Sequence, residues 1–93
     1  MKVQYSKQFA KDARKLPPHI KRVVKELVVR LENVQTLFEI HDCKPLEGVI
    51  NGYRIRRRDY RITLSLIVQD NTVLLLRVLP RGQVYKKHVT DNK

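Results

Sequence analysis

The stretch GYRIRRRDYRITLSLIV, residues 52–68, decides the fold of this chain. Its first half alternates apolar and basic residues, so a β-strand there places Arg54 and Arg56 on one face and the apolar side chains on the other. Its second half alternates in the same way, with Arg61 on the polar face. If the two strands pair, their basic faces merge into one surface that carries all three arginines. Solvated arginines do not require this arrangement, whereas a site for a polyanion does.

Two turn signals divide this region and its continuation into three strands. Arg58-Asp59 fits a short turn, and Asp70-Asn71 is a tight-turn signal that makes the last two strands a hairpin. The predicted strands are residues 52–57, 60–69 and 72–79. Upstream of them, residues 35–44 are predicted to be the frayed end of a helix followed by a loop.

The N-terminal third predicts one short strand and two helices. Residues 2–5 are the strand candidate, and Ser6 can cap a first helix that runs to about Leu16. Pro17-Pro18 ends that helix and suits the start of the next. The second helix has an amphipathic pattern, carried by Ile20, Val23, Val24, Leu27, Leu31 and Val34. The order β-α-α-β-β-β therefore predicts a single α+β domain over residues 1–93, with two helices on one face of an antiparallel sheet and the arginines on the other.

The charge of the chain indicates an anionic partner. Lys and Arg number 20 against 9 Asp and Glu, for a net charge of +11, and residues 48–89 hold nine basic residues and two acidic ones. Such a balance favours nucleic acid, an acidic protein or an anionic membrane as partner.

Other parts of the composition exclude several kinds of site. Cys43 is the only cysteine, which excludes an intramolecular disulfide and a cysteine-cluster metal site, and three glycines leave no glycine-rich phosphate loop. No segment approaches the ~18 apolar residues that span a bilayer, and the N-terminus lacks the apolar run of a signal peptide. We therefore expect a cytoplasmic protein with no membrane contact, no metal and no cofactor.

The candidate site combines the arginine surface with residues that follow the last strand. Guanidinium groups bind phosphate bidentately and stack on bases, so a cluster on a rigid sheet suits RNA recognition. Arg81, just beyond a strand end, is placed to reach a phosphate. Tyr85 either anchors the C-terminal segment or takes part in stacking or proton transfer. Further RNA contacts are expected from Arg57, Arg58, Arg77, Lys86 and Lys87.

A different interpretation makes the arginines a solvated sheet face that pairs with Glu26, Glu32 or Asp59. The three histidines are scattered and lack the spacing of metal ligands. Of these, His88 is a secondary candidate for an acid or base, because it lies three residues after Tyr85.

Several short motifs occur along the chain in a definite order. In the second part they are Pro45-Leu46-Glu47-Gly48, Gly52-Tyr53-Arg54-Ile55-Arg56, Asp59-Tyr60-Arg61-Ile62 and Val78-x-x-Arg81-x-x-Val84-Tyr85. In the first part they are Ser6-Lys7-x-Phe9-x-Lys11-Asp12 and Lys15-Leu16-Pro17. In order and spacing these motifs resemble the RelE/ParE superfamily of bacterial toxins over almost the whole chain, and the resemblance implies a small βααβββ fold.

For RelE-type members the resemblance implies cleavage of mRNA in the ribosomal A site, by attack of a ribose 2′-OH on the adjacent phosphate. The catalytic residues that it implies are Arg54, Arg56, Arg61, Arg81 and Tyr85. Arginines would neutralise the charge of a phosphorane-like transition state, and the tyrosine would orient the base. The implied partners are mRNA, the ribosome and a cognate antitoxin, which we expect to be acidic where it contacts the sheet.

The chain also departs from its relatives in ways that bear on chemistry. Some relatives have lysines at the positions of Arg54 and Arg56, many have histidine in place of Pro80, and others use a Glu and His pair that is not evident here. Arginine effectively cannot lose its proton, so the general base is unassigned, with Tyr85 the first candidate and a ribosomal group the alternative. Two other functions stay open: a ParE-like inhibitor of DNA gyrase on the same fold, and a non-catalytic RNA- or ribosome-binding module.

Overall fold

The computed structural model describes residues 1–82, which form two helices and a five-stranded sheet. The helices are α1 (Lys7–Arg14) and α2 (Pro18–Asn33), and the strands are β1 (Lys2–Tyr5), β2 (Cys43–Pro45), β3 (Gly52–Arg57), β4 (Tyr60–Ile67) and β5 (Thr72–Pro80). Two short 3₁₀ helices occupy Leu37–Glu39 and Val68–Asp70. The predicted α+β class and the order of its elements are confirmed. The extension of the domain to residue 93 stays a prediction.

Ser6 caps α1 as predicted. Its Oγ accepts a hydrogen bond from the backbone N–H of Phe9 at 2.9 Å and donates one to the carbonyl oxygen of Leu76, also at 2.9 Å. One hydroxyl therefore starts the helix and joins it to β5. The helix ends at Arg14, earlier than predicted, because Leu16 precedes a proline and is pushed away from the helical region.

The core lies between the helices and one face of the sheet. The buried residues of α2 are Ile20, Val24, Leu27 and Leu31, which keep the predicted spacing. They join the sheet residues Ile55, Ile62, Leu64, Val73, Leu75 and Val78, none of which is more than 1% exposed. Burying each such side chain stabilises the fold by about 1.5–3 kcal/mol. Within residues 1–82, no helix is both long enough and apolar enough to cross a bilayer.

The sheet differs from the prediction in two respects. Its strand order is β1-β5-β4-β3-β2, and β1 runs parallel to β5, from Lys2 opposite Thr72 to Tyr5 opposite Leu75, so the sheet is mixed and not wholly antiparallel. No hairpin connects β1 to β5, so no local turn sets their relative direction. The second difference is β2, which begins inside the segment predicted as frayed helix and loop, residues 35–44, and ends one residue beyond it at Pro45. Three residues that include a proline give no alternation to detect, and an edge strand tolerates that proline.

The β3–β4 hairpin has the predicted faces. Ile55 pairs with Ile62 on the core side, while Arg56 pairs with Arg61 and Arg54 with Thr63 on the side away from the helices. The two-residue turn holds Arg58 at φ 57°, a left-handed conformation that is uncommon outside glycine. The predicted hairpin between the last two strands also forms, with Asn71 left-handed at φ 48°.

A buried carboxylate joins α1 to the open edge of β5. Because β1 pairs only with Thr72–Leu75, no strand among residues 1–82 lies on that side of the later residues of β5. Asp12, only 7% exposed, fills this gap: it accepts the Val78 backbone N–H at 3.1 Å and two hydrogen bonds from the Arg77 guanidinium, at 2.7 and 3.1 Å. Burial acts to raise the pKa of Asp12, but the hydrogen bonds from Arg77, Val78 and Gln8 outweigh it and lower the pKa.

We expect Asp12→Asn to lower the free energy of unfolding at pH 7 by about 2–4 kcal/mol, since it leaves a half-buried guanidinium without its anion. A lowered native pKa means that the carboxylate stabilises the fold fully above its unfolded pKa of about 3.9, and that this stabilisation is lost as pH falls through the native value. The difference between the two proteins should therefore shrink at low pH. Urea denaturation at pH 7 and pH 3 measures both quantities.

Asp70→Asn is the matched control for this experiment, because Asp70 is exposed and the substitution removes the same negative charge. It should change stability by less than about 0.5 kcal/mol at either pH. Equal effects of the two substitutions would refute the role of Asp12 as a link between α1 and β5.

Candidate functional site

Four arginines meet on the side of the sheet away from the helices, and together they are called the arginine face: Arg54, Arg56, Arg61 and Arg81. The β3–β4 register brings the first three together, with Arg56 directly opposite Arg61. Arg81 follows the end of β5, where its backbone N–H donates to the Asp59 carbonyl oxygen at 2.9 Å. That hydrogen bond holds the end of β5 against the β3–β4 turn and so brings the fourth arginine to the same region.

The charges of the other three arginines act on Arg61. Burial lowers the pKa of Arg61 most, and the positive charges of Arg54, Arg56 and Arg81 lower it further. A guanidinium still keeps its proton at any working pH. The site is therefore a concentrated positive field whose members repel one another until an anion arrives.

One carboxylate, that of Asp42, lies at the margin of the arginine face. Its Oδ2 accepts a hydrogen bond from Arg56 Nε at 3.1 Å, and its Oδ1 is 3.9 Å from Arg54 Nη1. The hydrogen bond from Arg56 is the main reason that the pKa of Asp42 is lowered, with further contributions from the charges of Arg56, Arg54 and Lys44.

Sequence reasoning missed Asp42, and only the interpretation of the arginines as a solvated face offered partners for them, which were Glu26, Glu32 or Asp59. The ion pairs found within residues 1–82 instead use Asp42 and Asp12. Asp42 reaches the arginines only because β2, which follows it directly, pairs with β3. A three-residue edge strand leaves no pattern from which that neighbour could be predicted.

The arginine face contains buried donors that lack acceptors. Arg54 Nη1, Arg61 Nε and the Oγ1 of Thr63 are buried and have no hydrogen-bond partner within residues 1–82. Leaving a buried donor unpaired costs free energy, about 1–3 kcal/mol for a neutral group and more for a charged one. An anion that reached these atoms would gain their hydrogen bonds without breaking one to a described residue, but each atom is covered from solvent, so neighbouring side chains must first move aside.

Arg57 and Arg77 have guanidinium groups that already serve the fold. Arg57 Nη1 donates to the carbonyl oxygens of His41 at 2.7 Å and of Arg56 at 2.8 Å. Arg77 is held by Asp12 at the edge of β5. Their assignment as RNA contacts stays a prediction, as does that of Arg58, which is exposed on the β3–β4 turn.

The remaining predicted residues lie outside the described part of the chain. They are Tyr85, Lys86, Lys87 and the secondary candidate His88. Within residues 1–82 there is no group of three or more His, Cys, Asp or Glu side chains that could hold a metal ion.

Comparison with known proteins gives the family. The model of the ParE toxin family of type II toxin–antitoxin systems matches residues 3–85. The chain belongs to the RelE/ParE superfamily of toxins. It is 36% identical over 86 residues to toxin RelE3 of Methanocaldococcus jannaschii, a match that covers 91% of this chain and 96% of that protein. The resemblance inferred from the sequence motifs is thus confirmed.

Solved structures agree with this assignment. The toxin has a TM-score of 0.79 and 32% identity to the RelE chain in the RelB-RelE antitoxin-toxin complex of Methanococcus jannaschii, covering 91% of this chain and 98% of that one. To the archaeal RelE-RelB complex of Pyrococcus horikoshii it has a TM-score of 0.72 and 32% sequence identity. That match covers 87% of this chain and 94% of the other. The toxin is therefore RelE-like in both fold and sequence.

Asp42 should weaken the attraction of the arginine face for polyanions. We expect Asp42→Asn to bind a short single-stranded RNA about two- to fivefold more tightly at low salt, because it removes the negative charge nearest to the arginines. The gain should decline as the salt concentration rises. Fluorescence anisotropy titrations at 50 and 200 mM NaCl measure both effects.

Asp70→Asn again provides the control, since it changes net charge equally but lies at the far end of the β4–β5 hairpin. An equal gain in both variants would mean that overall charge governs binding. Weaker binding by Asp42→Asn would mean that Arg56 needs the carboxylate to hold its binding position.

Proposed function

We propose that this toxin is a ribosome-dependent endoribonuclease that cleaves mRNA in the ribosomal A site and so inhibits translation. The observation that carries the proposal is the meeting of Arg54, Arg56, Arg61 and Arg81 on one face, where two buried guanidinium N–H donors have no acceptor within residues 1–82. A phosphate that gains charge in a transition state is the ligand that such donors stabilise best. The RelE name of its relatives supports the same activity.

The proposed reaction is an internal displacement at phosphorus. The ribose 2′-oxygen attacks the adjacent phosphate as its proton passes to a base, the bond from phosphorus to the 5′-oxygen breaks, and that oxygen takes up a proton. The products are a 2′,3′-cyclic phosphate and a 5′-hydroxyl end. Arginines of the face neutralise the charge of the phosphorane-like transition state, and Arg54 and Arg61 have donors free for this purpose.

No arginine supplies the base in this scheme. A guanidinium keeps its proton at working pH, so the cluster provides charge and orientation only. We assign proton transfer to Tyr85, with a group of the ribosome as the alternative. The ribosome would also present the mRNA, since a site made of cations on a sheet binds phosphates without distinguishing one sequence from another.

Primer extension on a translated mRNA tests the proposal. With ribosomes present, the wild-type toxin should produce cuts at codon-phased positions, whereas Arg61→Ala or Arg81→Ala should reduce the cleavage rate by at least about a hundredfold, the usual loss for one transition-state donor. RNA without ribosomes should stay intact.

Arg22→Ala is the matched control, because it removes the same charge from the exposed side of α2. It should cleave at the wild-type rate. Cleavage that survives both Arg61→Ala and Arg81→Ala would refute the proposed site. Strong, salt-dependent RNA binding without any cleavage would favour the non-catalytic module instead.

Inhibition of DNA gyrase is the second candidate function, favoured by the match to the ParE family model. On this alternative the arginine face is a docking surface and no RNA chemistry occurs. Accumulation of cleaved DNA–gyrase complexes in cells that express the toxin, with mRNA intact, would support gyrase inhibition over the nuclease.

We further propose that a cognate antitoxin neutralises the toxin through an acidic segment placed on the arginine face. The solved relatives include complexes of RelE with the antitoxin RelB, and the net charge of +11 favours an acidic counterpart. Purified antitoxin should displace labelled RNA from the toxin, and displacement should weaken above about 0.15 M salt. Simultaneous binding of both ligands would place the antitoxin elsewhere.

A further inference from the structure

Thr63 lies in the middle of β4, on the same side of the sheet as the arginine face. Its neighbours Ile62 and Leu64 are fully buried in the core, so the alternation of the strand turns Thr63 to the opposite side. There it is only 1% exposed, and its Oγ1 has no hydrogen-bond partner within residues 1–82. A hydroxyl in this state destabilises the folded protein, and a valine would fit the strand equally well.

The unpaired donors form one cluster. In the described part of the chain, the buried side-chain nitrogen and oxygen atoms without a partner are Arg54 Nη1, Arg61 Nε and Thr63 Oγ1. Arg54 is the direct cross-strand partner of Thr63, and Arg61 precedes Thr63 by two residues on the same face of β4. Side chains in these positions are neighbours on a sheet surface. Isolated packing defects would be scattered, whereas these three donors lie together.

An oxyanion is the ligand that the cluster fits. Two charged donors and one neutral hydroxyl suit a phosphate, which accepts several hydrogen bonds on its oxygens. A nearby carboxylate does not satisfy them: Asp42 accepts from Arg56 but stays 3.9 Å from Arg54 Nη1.

We propose that Thr63 Oγ1, Arg54 Nη1 and Arg61 Nε, which are covered from solvent in this structure, form a phosphate subsite once the surrounding side chains shift, and that Thr63 is a further binding residue of the toxin. The identification of the natural ligand as a non-bridging oxygen of the RNA phosphodiester rests on the proposed nuclease function. Binding of inorganic phosphate to the same three donors does not.

Thr63→Val separates binding from stability because the two should change in opposite directions. Replacing an unpaired buried hydroxyl by a methyl group of similar shape removes a desolvation penalty, so the melting temperature without phosphate should rise or stay unchanged. Loss of one hydrogen bond to an anion should weaken phosphate binding about tenfold. Thr63→Ser keeps the hydroxyl and should bind phosphate within about threefold of wild type.

Inorganic phosphate is the probe, titrated while thermal unfolding of the full chain is followed, since a ligand that binds only the folded state raises the melting temperature with its concentration. Thr72→Val is the matched control. Thr72 is also buried, at 3% exposure, but its Oγ1 donates to the Asp70 carbonyl oxygen at 3.1 Å. The Thr72→Val variant should be less stable than wild type and should bind phosphate with wild-type affinity, which is the reverse of the result expected for Thr63→Val.

Two results would overturn the subsite. A lower melting temperature of Thr63→Val without phosphate would mean that the hydroxyl already has a partner in the folded protein. Equal phosphate affinity of Thr63→Val and wild type would mean that the arginines bind the anion without Thr63. Neither result depends on ribosomes or cleavage, so failure of the subsite and failure of the nuclease proposal are distinguishable.

Discussion

The pairing of β3 with β4 is the constraint on which the rest of the toxin depends. Ile55 and Ile62 face each other in the core, and with a side-chain period of two the same register places Arg56 opposite Arg61 on the other side. A slip of one residue would expose the isoleucines and bury the guanidiniums. The free energy of burying apolar side chains therefore also sets the geometry of the charged face, and the arginines have their positions whether or not a ligand is bound.

This coupling explains how the fold tolerates cations held so close together. Like charges on facing residues destabilise a strand pair, by an amount comparable to the contribution of one cross-strand contact, roughly 0.2–1 kcal/mol. Two contributions offset this cost. Several side chains are buried in the core, and the Asp42 carboxylate accepts a hydrogen bond from the Arg56 guanidinium. Asp42 bonds only Arg56, and Arg54 and Arg61 each keep a buried donor with no hydrogen-bond partner among the described residues. The free-energy cost of leaving these donors unpaired is expected of a site that binds an anion and is not expected of a purely structural surface.

Sequence patterns were sufficient where the determining contacts are local or periodic. The cap at Ser6, the stripe of α2 and the faces of β3 and β4 follow from spacing alone, and each was predicted. The parallel pairing of β1 and the Asp12–Arg77 link were not, because each joins segments far apart in the chain that only the finished fold brings together. The strand β2 was missed because its three residues are too few to show an alternation. Asp42 and Thr63 were missed for a related reason. An aspartate in a loop and a threonine in a strand are ordinary until their neighbours are known.

The arginines between positions 54 and 58 show why a high density of charge in a sequence overstates the number of residues that share one site. Alternation sends Arg54 and Arg56 to one face, while Arg57 bonds the His41 carbonyl oxygen and Arg58 occupies a left-handed turn. Arg81, outside the run altogether, joins the face through the backbone hydrogen bond to Asp59. Within residues 1–82, two of the four arginines of the face, Arg54 and Arg61, also carry buried donors with no acceptor. The uncharged Thr63 carries a buried donor of the same kind beside them, whereas Arg57 donates to backbone carbonyl oxygens and so contributes to the fold.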